Sequence, residues 1–90
     1  MVSQCSATVT IRQADGWHAR PATEFAQLVG ESNLDVTIGR PGQPATRGDS
    51  VLSLLTLGAR FGEELVITVT GSAEQGADPE KLLEKLTQLF

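Results

Sequence analysis

Cysteine, histidine and tryptophan each occur once in this chain of ninety residues, and tyrosine does not occur at all. With Cys5 alone, neither an intrachain disulfide nor a cysteine-rich metal cluster can form. With His18 alone, the second histidine that would help complete a zinc site is missing too, so no metal and no cofactor is expected. Basic residues are few and scattered, seven against eleven acidic ones, for a net charge of −4. That balance argues against nucleic acid as a partner, because neutralising phosphates needs a basic face. No apolar run approaches the ~18 residues of a membrane span, so no membrane insertion is expected. Met1–Thr10 lacks the basic start and apolar stretch of a signal peptide. The expected location is cytoplasmic, and a lone thiol suits a reducing compartment.

What the chain does have is enough apolar residue for one modest core: 40% apolar against 20% charged. That composition reads as globular rather than disordered, and the length reads as one domain, residues 1–90. There is no room for separate substrate and cofactor domains, so an elaborate enzyme is disfavoured.

The apolar pattern changes period along the chain. Ala7, Val9 and Ile11 alternate with Thr8 and Thr10, the period of a half-buried strand. Asp15-Gly16 marks a turn. Pro21 suits the first turn of a helix, and Ala22, Phe25, Ala26 and Val29 then form one stripe at helical spacing, with Gly30 as the expected end. Leu34, Val36 and Ile38 make a second strand and Gln43–Arg47 a short third one. A short helix is expected over about Ser50–Leu57. Leu65, Ile67 and Val69 alternate with Val66, Thr68 and Thr70 in a fourth strand. Asp78-Pro79 reads as cap and first residue of a last helix carrying Leu82, Leu83, Leu86, Leu89 and Phe90. The order is βαββαβα. Strands that are apolar on one side and Thr- or Asp-bearing on the other suit an antiparallel sheet with helices on one face and water on the other. The expected fold class is α+β, an open-faced sandwich of four strands and three helices.

The middle helix is apolar over an arc of roughly 220° at ~100° per residue, more than one buried face needs. Two readings stay open. The helix is deeply buried, or Leu54 and Leu57 face the sheet while Val51, Leu52 and Leu55 form a docking patch.

Chemistry concentrates in Gly16-Trp17-His18-Ala19-Arg20-Pro21-Ala22. His18 falls where a turn becomes a helix N-terminus, whose first N–H groups lack intrahelical partners and favour an anion. Arg20 adds a permanent cation with donors shaped for phosphate oxygens. Imidazole titrates nearest neutrality of all side chains, so a nucleophilic ring lies beside a phosphate cradle formed by Ala19 and Arg20. A lone histidine near a helix start is more often structural or merely exposed; the neighbouring Gly, Arg and Pro are what favour a functional role here.

These residues resemble the phosphorylation-site signature of HPr proteins, the phosphocarriers of the bacterial phosphoenolpyruvate-dependent sugar phosphotransferase system. Ser50-Val51-Leu52-Ser53-Leu54-Leu55-Thr56-Leu57-Gly58-Ala59 resembles the family's regulatory-serine segment and the helix after it. The resemblance covers essentially the whole chain. It implies that enzyme I phosphorylates His18 at Nδ1, that the phosphoryl group moves on to a histidine of a IIA domain, and that Arg20 holds the phosphoryl oxygens. It also implies that Ser50 is the target of a serine kinase in some bacteria, and that Val51, Leu52, Leu55 and Thr56 dock partners, which favours the docking reading of the middle helix. A monomer is the simplest state for such a carrier.

The departures from the family pattern are specific. Trp17 replaces a smaller aliphatic residue, and either adds exposed docking area or packs over the turn. Asp15 brings a carboxylate that would repel phosphate. Asp49 and Ser53 stand where basic residues are common, leaving the docking face less positive. Ser50 alternatively caps the middle helix, a role Asp49 could share. Two functions compete with sugar-uptake carrier: a phosphorylation-state regulator in a nitrogen-branch or dihydroxyacetone-kinase-type system, and an HPr-like interaction module without phosphoryl transfer.

Overall fold

Alternating apolar and polar residues make each strand a ribbon with two unlike faces, and the two faces meet different surroundings. The computed structural model describes residues 2–72 and 78–90. Its strands are β1 (Val2–Thr10), β2 (Asp35–Gly39), β3 (Thr46–Arg47) and β4 (Glu64–Ser72), and its helices α1 (Ala19–Ser32), α2 (Val51–Thr56) and α3 (Pro79–Thr87). The strands form one antiparallel sheet in the order β1-β4-β2-β3. On one face Val9, Val36, Ile38, Leu65, Ile67 and Val69 are buried under the helices. On the other face Thr68 pairs in register with Ser6 on one side and Thr37 on the other, the Ser6 and Thr68 hydroxyls lie 3.0 Å apart, and Gln4 Nε2 donates to Thr70 Oγ1 at 3.3 Å. This is the expected open-faced α+β sandwich.

Element ends differ from expectation for local reasons. β1 begins at Val2 because its polar residues pair across to β4 as far as Ser72, a partnership that no short-range pattern reveals. β2 runs one residue later than expected, with Leu34 buried just before it. The helix α1 passes through Gly30 and stops at Asn33, whose φ of 60° is the left-handed conformation asparagine tolerates. Ser32 Oγ donates to Val29 O and accepts from Leu34 N–H, tying off the turn. β3 shrinks to Thr46–Arg47; Pro44 has no N–H to give a ladder.

The stripe expected on α1 is the one buried: Ala22, Phe25, Ala26 and Val29. Asp78 caps α3 by accepting from Glu80 N–H at 3.0 Å. Leu82 and Leu86 are buried, whereas Leu89 and Phe90 follow the helix and fold back on the core as partly buried side chains.

Candidate functional site

The turn that carries His18 is held from the side rather than by its own sequence. Gly16 has φ +85° and its N–H donates to Gln13 O at 3.0 Å; the N–H of Trp17 donates to Ala59 O, also at 3.0 Å. Ala59 belongs to the loop between α2 and β4. That loop is itself pinned, since Gly62 N–H donates to Ile11 O and Ile11 N–H to Glu63 O, both at 2.9 Å.

His18 is the N-cap of α1, with extended backbone and no side-chain capping bond. Among the described residues its exposed ring has no hydrogen-bond or ion-pair partner. The N–H of Ala22 reaches His18 O at 3.2 Å, and Pro21 has none to offer. Ala19 and Arg20 therefore present the first-turn N–H groups that the helix leaves without a partner, beside the histidine and at the positive end of the helix dipole. The Arg20 side chain is 86% exposed and its Nε lies 3.8 Å from Glu24 Oε1, a surface pair too weak to hold it. Among the described residues the guanidinium makes its one ion pair with Glu24 and no hydrogen bond to His18.

Glu63 governs the supporting loop. Its carboxylate accepts from Arg40 Nε at 2.7 Å and Arg40 Nη2 at 3.2 Å, and from Arg60 N–H at 2.8 Å. The Arg40 bond foremost, then that N–H, holds its carboxyl down at about 2 against the usual 4.5. A depressed carboxyl stabilises the fold above its unfolded value and loses that contribution as pH falls through the folded one. Arg40→Met should therefore melt below the parent near pH 7, and the gap should close between pH 4.5 and about 2. Thermal unfolding across that window measures it; a gap constant with pH would show that the pair does not act through charge.

The α2 face divides. Leu54 is buried and Val51 and Leu57 are partly buried against the core, while Leu52 is 75% and Leu55 39% exposed. Thr56 is exposed, its hydroxyl donating to Ser53 O at 2.7 Å. Val51 thus contributes chiefly to packing, a correction to its place in a docking patch. Trp17 is corrected more fully: it is only 6% exposed, packed among aromatic rings, and offers no docking area. Phe61, 65% exposed in the loop that supports the His18 turn, is an apolar surface residue that no helical spacing points to. Ser50 caps α2, its Oγ accepting from Ser53 N–H at 3.2 Å. Asp49 does not share that role; it grips Arg47 in a two-point pair, at 2.5 and 2.8 Å. That bond to the guanidinium lowers its carboxyl below the ordinary value.

The family model described as the PTS HPr component phosphorylation site matches residues 5–90. The chain belongs to the HPr family. HPr proteins are phosphocarriers of the phosphotransferase system, and the HPr of Streptomyces coelicolor is 37% identical over 81 residues, spanning 90% of this chain and 82% of that one. A multiphosphoryl transfer protein of Escherichia coli O157:H7 is 33% identical over 84 residues, which cover 90% of this chain but 21% of that larger protein. The HPr of Bacillus anthracis superposes with a TM-score of 0.80 at 26% identity, covering 97% of this chain and 96% of its own. Among the described residues, no helix of this HPr-family chain is long and apolar enough to cross a membrane.

Proposed function

We propose that this chain is a stoichiometric carrier and not an enzyme in its own right: His18 takes a phosphoryl group from phospho-enzyme I and passes it to a histidine of a IIA domain. The observation that supports this reading is the exposed ring of His18, without a partner among the described residues, beside the first-turn N–H groups of α1. The neutral ring attacks phosphorus in line through Nδ1, and the bond from phosphorus to its donor breaks as the new one forms. The phosphoryl oxygens then face the N–H groups of Ala19 and Arg20, and the Arg20 guanidinium leaves Glu24 to join them. Phosphoryl transfer asks for little beyond such positioning and charge stabilisation, so the partners supply the rest.

Partners dock on the exposed side of α2, through Leu52, Leu55 and Thr56. Leu52→Glu puts a charge on a side chain that is 75% exposed. It should weaken enzyme I binding at least about tenfold, as loss of an apolar anchor does, while unfolding shifts by less than about 0.5 kcal/mol. Titration calorimetry beside a melt separates the two; a collapsed melt would return Leu52 to the core. A kinase acting on Ser50 belongs to the same reading. Its phosphate would replace the cap hydroxyl at a helix start that tolerates negative charge, and would add that charge to the docking face.

Intact mass after incubation with phosphoenolpyruvate and enzyme I tests the proposal. A gain of one phosphoryl group that acid removes supports the carrier. No gain would leave an interaction module of HPr shape.

A further inference from the structure

We propose that Phe90 is a positioning residue for the phosphoryl-accepting turn, acting on His18 through Trp17. The inference rests on the carrier reading above. Nothing among the described residues orients the ring of His18 directly, so its direction follows from the backbone on either side. On one side stands α1. On the other stands Trp17, whose indole is clamped between two rings. It stacks on Phe90 with centroids 5.0 Å apart and planes 22° apart, and meets Phe25 edge-on at 5.5 Å and 89°. Phe25 and Phe90 close the triangle at 6.1 Å and 85°.

Phe25 is fully buried on α1 and forms a fixed wall. Phe90 lies beyond α3 and is the side of the triangle contributed from outside the helix that His18 caps. Aromatic contact is what holds the indole: among the described residues its Nε1–H has no acceptor, although it is buried. A second tie joins the same two segments, since Gln13 Nε2 donates to Leu89 O at 3.3 Å. Without the Phe90 ring, Trp17 can rock against Phe25 and carry the His18 backbone with it. Reaction rates are sensitive to displacements of that kind, because in-line transfer needs the attacking nitrogen within a narrow approach.

Trp17 is the only tryptophan, so its emission in the isolated protein reports this turn directly. The experiment measures that emission, thermal unfolding, and the rate and half-saturation of phosphoryl acceptance from phospho-enzyme I, for the parent, Phe90→Ala, Phe90→Leu and Phe90→Tyr. Phe90→Ala should red-shift the emission and lower the maximal rate about tenfold with half-saturation unchanged. Phe90→Leu keeps apolar volume but loses the stack; it should fold and still be slowed, whereas Phe90→Tyr should restore both rate and emission. Should the alanine variant not fold, the leucine and tyrosine pair decides. A folded Phe90→Leu protein that accepts at the parent rate overturns the proposal, as does a Phe90→Tyr protein as slow as the leucine one. A parent that takes no phosphoryl group defeats the carrier reading itself, and does so before any substitution is made.

Discussion

His18→Ala is expected to gain no acid-labile phosphoryl group under conditions that load the parent fully, while its fold stays intact. The sequence holds no other histidine to take over, so the loss should be complete rather than partial. The fold should survive because the ring is exposed and caps nothing; the change in stability should stay within about 0.5 kcal/mol. The same site supports a sharper form of the test. A helix N-cap is a place where serine satisfies a free N–H and histidine here does not, so His18→Ser should raise stability by ~0.5–2 kcal/mol while abolishing acceptance. Stability and function would then move in opposite directions at one residue, as expected where a site is kept for chemistry rather than for the helix. Intact-mass measurement and thermal unfolding on the three proteins check it. Acid-labile labelling retained in His18→Ala would refute the assignment.

Gly16→Ala should be strongly destabilising for a single added methyl. Two costs combine. The backbone sits at φ +85°, and a Cβ there would lie 2.7 Å from Ala59 O, the oxygen that accepts the Trp17 N–H. Strain of this kind costs about 1–3 kcal/mol, and forcing two backbones apart adds a term of similar size. A total of about 2–6 kcal/mol should lower the melting temperature by roughly 10–50 °C in a domain of this size. Gly42→Ala separates the terms: its φ is +73° but a Cβ there meets nothing within 4 Å, so it should cost the strain alone. Equal melting temperatures for the two variants would show that the approach to Ala59 is not close enough to matter. Phosphoryl acceptance should fall with Gly16→Ala beyond what residual unfolding explains, because the displaced oxygen is the anchor of the turn that carries His18.

Much of the fold was legible because its signals are local. The stripe from Ala22 to Val29 needs only a helical period, and it is buried residue for residue. Asp78-Pro79 needs only the chemistry of a helix start. The strand alternation placed Thr68 and Thr70 on the open face before any partner was known. The motif around His18 was readable for the same reason, since histidine, helix N-terminus and Arg20 lie within three consecutive positions.

The parts that were not legible depend on residues distant in sequence. Arg40 and Glu63 carry no mutual signal, yet their pair pins the loop under the site. Trp17 left two readings open, and what closed them was contact with Phe25 and Phe90. Val51, Leu52 and Leu55 looked alike as apolar positions; only the packing of a six-residue helix against the core buried part of the first and left Leu52 bare. By itself the sequence determined the order of elements, the stripe that α1 buries and the placing of a lone histidine at a helix N-terminus, because each follows from neighbours within a turn or two. The tertiary structure alone decided how the His18 turn is held and which apolar side chains remain outside, because those outcomes depend on which distant segments finally come within a few ångströms of one another.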